Sequence, residues 1–221
     1  MSYYRNAVVL AAALLVTTFS GMAAEEDLCA PFMDGKVDES VLETMLNAAQ
    51  EGHLYRMDAA TSKVGFCVNS KLKRIKGDFH DFQGGMTLSG DGAGEAKALV
   101  VIHTDSLDTN GSAIGNLLKS ERFFDVSRYP EILFVSTGFV WTSSTTGVLK
   151  GNLTLRGITK PVNFHVTLSD IEDGDATIGK KILVKATTTI NRSAFGMGTL
   201  STIVSDDVQL CMSVEADKYG T

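Results

Sequence analysis

From Tyr55 onward the chain alternates apolar and polar residues with a period of two, and this limits its fold more than any other feature. Successive side chains of a strand point to opposite faces, so such alternation marks strands with one buried face. Val64, Phe66 and Val68 alternate with Lys63, Gly65, Cys67 and Asn69. The same pattern holds for Ala98, Val100 and Ile102, for Ile132, Phe134 and Ser136, and for Leu149 to Leu155. It continues in Val162 to Leu168, Val184 to Ile190 and Val208 to Val214. Phe79 and Phe82, then Met86 and Leu88, straddle Gly84-Gly85, which reads as a turn. About eight half-buried strands result, and strands joined mostly by short turns form an antiparallel barrel or sandwich.

Turn chemistry separates the strands at Ser89–Gly94, Trp141–Gly147 and Glu172–Asp175 with Gly179. The exception is Ser112 to Arg122, which reads as a helix with Ile114, Leu117 and Leu118 on one face. A second helix is expected from about 40 to 51. Ser40 and Glu43 fit a capping box there, and Val41, Leu42, Met45, Leu46 and Ala49 follow at helical spacing. That helix reads as an element packed on the outside of the barrel.

The first residues follow a different rule. Arg5 precedes an apolar run from Ala7 to Phe19, and Gly21-Met22-Ala23 places small residues two apart. This is the layout of a secretory signal peptide cleaved near Ala23, too short for a bilayer span of roughly 20 residues. The expected organisation is therefore signal peptide 1–23, an N-terminal extension with a helix 24–53, and a barrel domain 54–217. No stable membrane insertion is expected after cleavage.

The formal net charge is −6, with no Lys/Arg run, so nucleic acid is not an expected partner. The same acidic balance argues against electrostatic docking on anionic lipid headgroups. His53, His80, His103 and His165 are too scattered for a metal site, and no Gly-x-Ser-x-Gly nucleophile elbow occurs. Arg192 could meet a ligand headgroup or tie down the Phe195 loop, and the structural role is preferred. Inward positions are mainly aliphatic, with Phe66, Phe79, Phe134 and Phe164, and none carries Lys, Arg, Asp or Glu. Because an unpaired buried charge is costly, a ligand matching such an interior is mostly hydrocarbon; the rival is a barrel filled by its own side chains. Three cysteines, Cys29, Cys67 and Cys211, permit one internal bridge. Cys67 and Cys211 share outward phases on the first and last strands, so a bridge between them would staple the barrel seam; the alternative is that Cys29 bonds one of them.

Four stretches carry a family resemblance. Ser120-Glu-Arg-Phe-Phe-Asp-Val-Ser-Arg-Tyr-Pro-Glu-Ile-Leu-Phe134, Gly151-Asn-Leu-Thr-Leu-Arg-Gly-Ile-Thr-Lys-Pro-Val162, Asn191-Arg-Ser-Ala-Phe-Gly-Met197 and Ser205-Asp-Asp-Val-Gln-Leu210 resemble, in order, motifs of YceI-like proteins. Ser106-Leu-Asp-Thr109 and Gly77-Asp-Phe79 add weaker matches, whereas Thr61-Ser62 stands where a His-Ser pair is common. The resemblance runs from about Tyr55 to Glu215 and leaves out the N-terminal helix.

It implies a mainly β protein: an eight-stranded antiparallel lipocalin-like barrel with a short helix at its mouth. It also implies a periplasmic location and a polyisoprenoid or similar long-chain amphiphile held in the barrel. The ligand contacts carried over are Phe66, Val68, Phe79, Phe82, Val100, Ile102, Phe134, Leu153, Phe164, Phe195 and Met197, with Phe123 and Phe124 flanking the mouth. No catalytic residue, metal or cofactor is expected apart from a bound isoprenoid or fatty-acid-like lipid. The alternative is a solid-core interaction module without a small ligand. The sequence leaves the oligomeric state open, a homodimer included.

Overall fold

A computed structural model describes residues 37, 39–88, 96–170 and 179–219 of the 221. The signal-peptide segment, Cys29, the Ser89–Gly94 loop and the Glu172–Asp175 turn lie outside the described residues. Helix α1 (Glu39–Gln50) is followed by β1 (Leu54–Met57), β2 (Lys63–Ser70), β3 (Arg74–Phe79), β4 (Phe82–Thr87), β5 (Lys97–His103) and β6 (Leu107–Thr109). Then come α2 (Ser112–Lys119), β7 (Glu131–Trp141), β8 (Thr146–Leu155), β9 (Ile158–Asp170), β10 (Lys181–Asn191) and β11 (Val204–Lys218).

The eleven strands make eight staves, because the first three staves are each broken once. β1 and β2 are two pieces of one stave, and both pair with β11: Met57 lies opposite Ala216 and Val64 opposite Met212. Ser62 bridges the break, its hydroxyl accepting from the Glu215 N–H at 3.0 Å and donating to the Glu215 carbonyl at 3.3 Å. β3 and β4 form the second stave, and β5 and β6 the third. From β5 the order runs β7, β8, β9, β10, β11 and back to β1, all antiparallel, which closes the barrel. The alternation predicted this stave count.

Three sequence expectations change. Gly84-Gly85 is not a turn; both glycines lie inside β4, the stave is only interrupted at His80-Asp81, and the chain reverses instead between β2 and β3, at residues 71–73. A Cβ on Gly84 would stand 2.4 Å from the Leu99 carbonyl oxygen and 2.7 Å from the Met57 sulfur, so the residue is glycine for close approach, not for a bend. The outward face of β5 is also not solvated. Leu99 and Val101 are buried there, with Leu54 beside them, beneath Leu42, Met45 and Ala48 of α1. α1 is thus packed on the outer wall, as its apolar stripe suggested. It begins at Glu39, so Ser40 lies within the first turn instead of capping it.

Inside the barrel, aromatic rings sit over glycines of the adjoining strand. The Phe66 ring covers Gly77 and the Phe134 ring covers Gly151, where an added Cβ would come within 2.4–2.5 Å of ring carbons. Phe134 also meets Phe164 edge-on, with centroids 5.3 Å apart. This layer fills the middle of the barrel.

Two outcomes are expected. Gly151→Val forces the Phe134 ring aside and should destabilise the fold by about 1–3 kcal/mol, the usual cost of overpacking, read as a shifted denaturant midpoint. A chain starting at residue 52 uncovers Leu54, Leu99 and Val101. It should self-associate in light scattering while the full-length chain does not reach the same mass.

Candidate functional site

The barrel ladder is incomplete at one end. β7 pairs with β5 from Leu99 to His103, whereas β6 pairs only with β3. The chain between β6 and β7 therefore passes over this opening, as α2 and the segment 120–130. Phe124 points into the barrel, its ring 5.8 Å from that of Phe66 and 5.7 Å, edge-on, from that of Phe79. Such pairs add about 0.5–1.5 kcal/mol each beyond their burial, so the segment is anchored by its aromatic plug.

Below the plug lies a cavity of about 170 Å³. Its walls come from most of the staves, among them Val64 and Phe66 from β2, Ile75 from β3, Ile132 from β7, Leu153 from β8, and Leu210 and Met212 from β11. Leu117 of α2 and Leu200 of the loop before β11 line it while remaining 36% and 42% exposed, so the cavity reaches the surface between them. A second chamber of about 50 Å³ lies toward the other end, lined by residues such as Met86, Val100, Phe134 and Leu168. Met212 lines both chambers.

Of the residues expected at the ligand, Phe66, Val68, Phe79, Ile102, Phe123, Leu153 and Met197 line the larger cavity, and Val100 and Phe134 line the smaller. Phe82, Phe164 and Phe195 line neither; they are buried in the packed core. Alternation reports which face a residue occupies, not whether open space lies before it. Phe124, expected only to flank the mouth, lines the larger cavity too, whereas Ile114, Leu200 and Met212 were not singled out as contacts. The inward phases of β11 included Met212, but nothing in the sequence marks depth along the barrel.

The expectation of no cation on the inner face also needs correction. Arg192 lines the large cavity and is only 3% exposed, and Lys97 borders the small one. The Arg192 guanidinium donates to the carbonyls of Ser205 at 2.9 Å, Thr199 at 2.8 Å and Val204 at 3.0 Å, and to that of Met197. Its Nε lies 3.9 Å from the Asp206 carboxylate. The Ser193 hydroxyl, donating to Asp206, holds that carboxyl below its usual range. Arg192 therefore ties down the loop from Met197 to Val204, the preferred one of its two readings. Arg156 does the same across the mouth, donating to the carbonyls of Glu121 at 2.9 Å and of Phe123. Arg156 and Gly157, with φ of 52° and 69°, form the two-residue reversal between β8 and β9.

Cys67 and Cys211 share the outer wall, as their phases implied, but the register sets them diagonally. Cys67 stands opposite Gln209, and Cys211 opposite Gly65. Diagonal neighbours have Cα atoms about 7–8 Å apart, past the roughly 6.8 Å that a disulfide spans, and both are free thiols in this structure. Burial, then the adjacent Cys67, push the Cys211 thiol above its ordinary value. Among the described residues no group of three or more His, Cys, Asp or Glu side chains is placed to hold a metal ion.

Comparison with known proteins agrees with this geometry. A UPF0312 protein of Pseudomonas putida strain W619 is 38% identical over 145 residues, 65% of this chain and 74% of the relative. A UPF0312 protein of Yersinia enterocolitica is 34% identical over 141 residues, 64% and 72% of the two chains. Among solved structures, Burkholderia cenocepacia BcnA superposes with a TM-score of 0.66 at 24% identity, covering 72% of this chain and 98% of that one. The Campylobacter jejuni YCEI protein superposes at 0.57 with 26% identity, covering 64% and 83%. A polyisoprenoid binding domain from Saccharophagus degradans does so at 0.56 with 15% identity, covering 74% and 98%. Residues 55–216 match the YceI-like domain model from one end of the barrel to the other, and the chain belongs to that family.

Proposed function

We propose that this protein binds a long-chain amphiphile of the polyisoprenoid type, its apolar tail enclosed in the barrel. The observation that carries this reading is the lining of the 170 Å³ cavity, which among the described residues holds no carboxylate, His, Cys or Lys and only one cation, Arg192. That cation already serves four carbonyls of its own chain, so the space favours hydrocarbon. The fold shared with the Saccharophagus degradans polyisoprenoid binding domain supports the same class of ligand.

The two chambers are smaller than the about 300–1,000 Å³ of typical ligand sites. A tail of several isoprene units therefore enters by moving side chains. Met212, which lines both chambers, is the natural door because methionine is unbranched and adaptable. The lining offers no pair of titratable groups for acid–base chemistry, which supports a binding role over catalysis. Export by the leader at residues 1–23 to the periplasm, where a carrier for a water-insoluble lipid would be needed, completes the reading.

Native mass spectrometry of the protein extracted from cells under mild conditions tests it. An adduct in the isoprenoid mass range is expected. Leu210→Trp, which fills the large chamber, should remove most of that adduct with little change in melting temperature. Met212→Ala joins the chambers and should shift the bound population toward longer chains. Wild-type protein that emerges ligand-free and also refuses added isoprenoid quinone would leave the solid-core interaction module as the better reading.

A further inference from the structure

Seven large apolar side chains are exposed among the described residues, and five of them crowd one end of the barrel. Leu72 is at the tip of the β2–β3 turn and is 88% exposed. Ile203 is beside it, its carbonyl accepting from the Lys71 N–H at 2.9 Å. Leu200 is one turn away, its carbonyl accepting from the Ile203 N–H. Leu117 lines the same cavity as Leu200, and Ile158 stands by Gly196 at the base of the Leu200 loop. Packing does not account for this cluster: Leu117 and Leu200 border the opening through which the cavity reaches the surface, and the other three stand at the same end of the barrel.

The charges on the same segments run against those of the whole molecule. The stretches 70–74, 112–119, 156–160 and 196–203 carry Lys71, Lys73, Arg74, Lys119, Arg156 and Lys160 and not one carboxylate, in a chain of net charge −6. The linking segment 120–130 is balanced, with Glu121 and Asp125 against Arg122 and Arg128. Leu72 itself lies in Lys71-Leu72-Lys73-Arg74, an apolar tip in a basic collar. Apolar tips ringed by cations suit the boundary of a bilayer, where the tips enter the acyl region and the cations meet anionic phosphates.

We infer that this end of the barrel is a docking surface for an anionic phospholipid membrane, through which the cavity exchanges its ligand with the bilayer. The inference rests on the apolar-ligand reading above and adds the surface on which that ligand is loaded. It replaces the expectation, drawn from net charge, that anionic headgroups repel the protein. Leu117 and Leu200, part cavity wall and part surface, make one apolar path from the bilayer into the barrel, so the ligand's tail need not cross water. The contact is interfacial and reversible. The two Arg clamps fix the loops that present it, since Arg192 holds the Leu200 loop and Arg156 holds the Phe123 segment.

Co-sedimentation of the mature protein with vesicles decides the matter, using phosphatidylcholine with one quarter phosphatidylglycerol and phosphatidylcholine alone. Binding to the anionic vesicles is expected, falling at least tenfold in the Leu72→Glu/Ile203→Glu double variant. Lys71→Glu/Lys73→Glu should weaken it several-fold, as should 0.5 M salt. Val140→Glu, at an exposed apolar site on β7 away from these segments, should leave it unchanged. Melting temperatures of all variants confirm that they fold. Indifference of the wild type to vesicles, or equal loss in Val140→Glu, overturns the proposal. So does association of the wild type with a second copy through Leu72 and Ile203 in place of vesicle binding. Lipid adducts measured in parallel keep the two readings apart: a wild type that carries lipid but ignores vesicles refutes the docking surface alone. One that binds vesicles but carries no lipid refutes the cargo and leaves the docking surface standing.

Discussion

Everything in this molecule depends on β11 being able to pair on both sides at once. Along its 15 residues it is laddered to β10 on one edge, and to β2 and then β1 on the other. Closing the ring in this way satisfies backbone groups that an open sheet would leave as a sticky edge. It also decides where an opening can exist. With the β10, β11, β2 and β1 seam sealed, the ladder is left open where β6 and the start of β7 do not pair, and the chain covers that opening with side chains instead of backbone bonds. The cavity mouth is thus a consequence of topology, and Phe124 and α2 are its furniture.

The mouth is shaped by two arginines whose guanidinium groups bond carbonyls of their own chain. A buried guanidinium has five donors, and leaving them unpaired would cost several times what one hydrogen bond contributes. Arg192 resolves this by collecting the carbonyls of the loop before β11 and of that strand's first residues, and Arg156 collects those of Glu121 and Phe123. Arg192 thereby offsets the cost of its own burial and fixes a loop in the same step. A cation can therefore stand in the wall of an apolar cavity without making that cavity polar.

Period two was readable because the pleat imposes it regardless of tertiary context, so both the strands and their inward phases were legible. What failed was whatever depends on a second layer. Leu99 and Val101 occupy outward phases yet are buried, because α1 lies over them. Gly84 and Gly85 look like punctuation in one dimension, but in three they are gaps through which neighbouring chain approaches. Phe164 shares a face with Phe134, yet the two rings pack together where no open space remains beside Phe164. For the cysteines, phase was right and register decisive: a shift of two residues turns a facing pair into a diagonal one. Alternation has no term for depth, cover or register.

Net charge is silent on the mouth for a related reason. It sums over the whole molecule, whereas a membrane senses only what comes within about one Debye length, roughly 8 Å at physiological ionic strength. The acidic residues that set the overall −6 lie largely off the segments that rim the mouth, while Lys71, Lys73 and Arg74 surround the most exposed apolar side chain described. Leu72 in isolation would be unremarkable, since scattered surface leucines are common. Its position does the arguing, because the same end holds the opening of an apolar chamber and the two loops fixed there by arginine. The sealed seam leaves this end of the barrel as the one at which its apolar interior meets the surface.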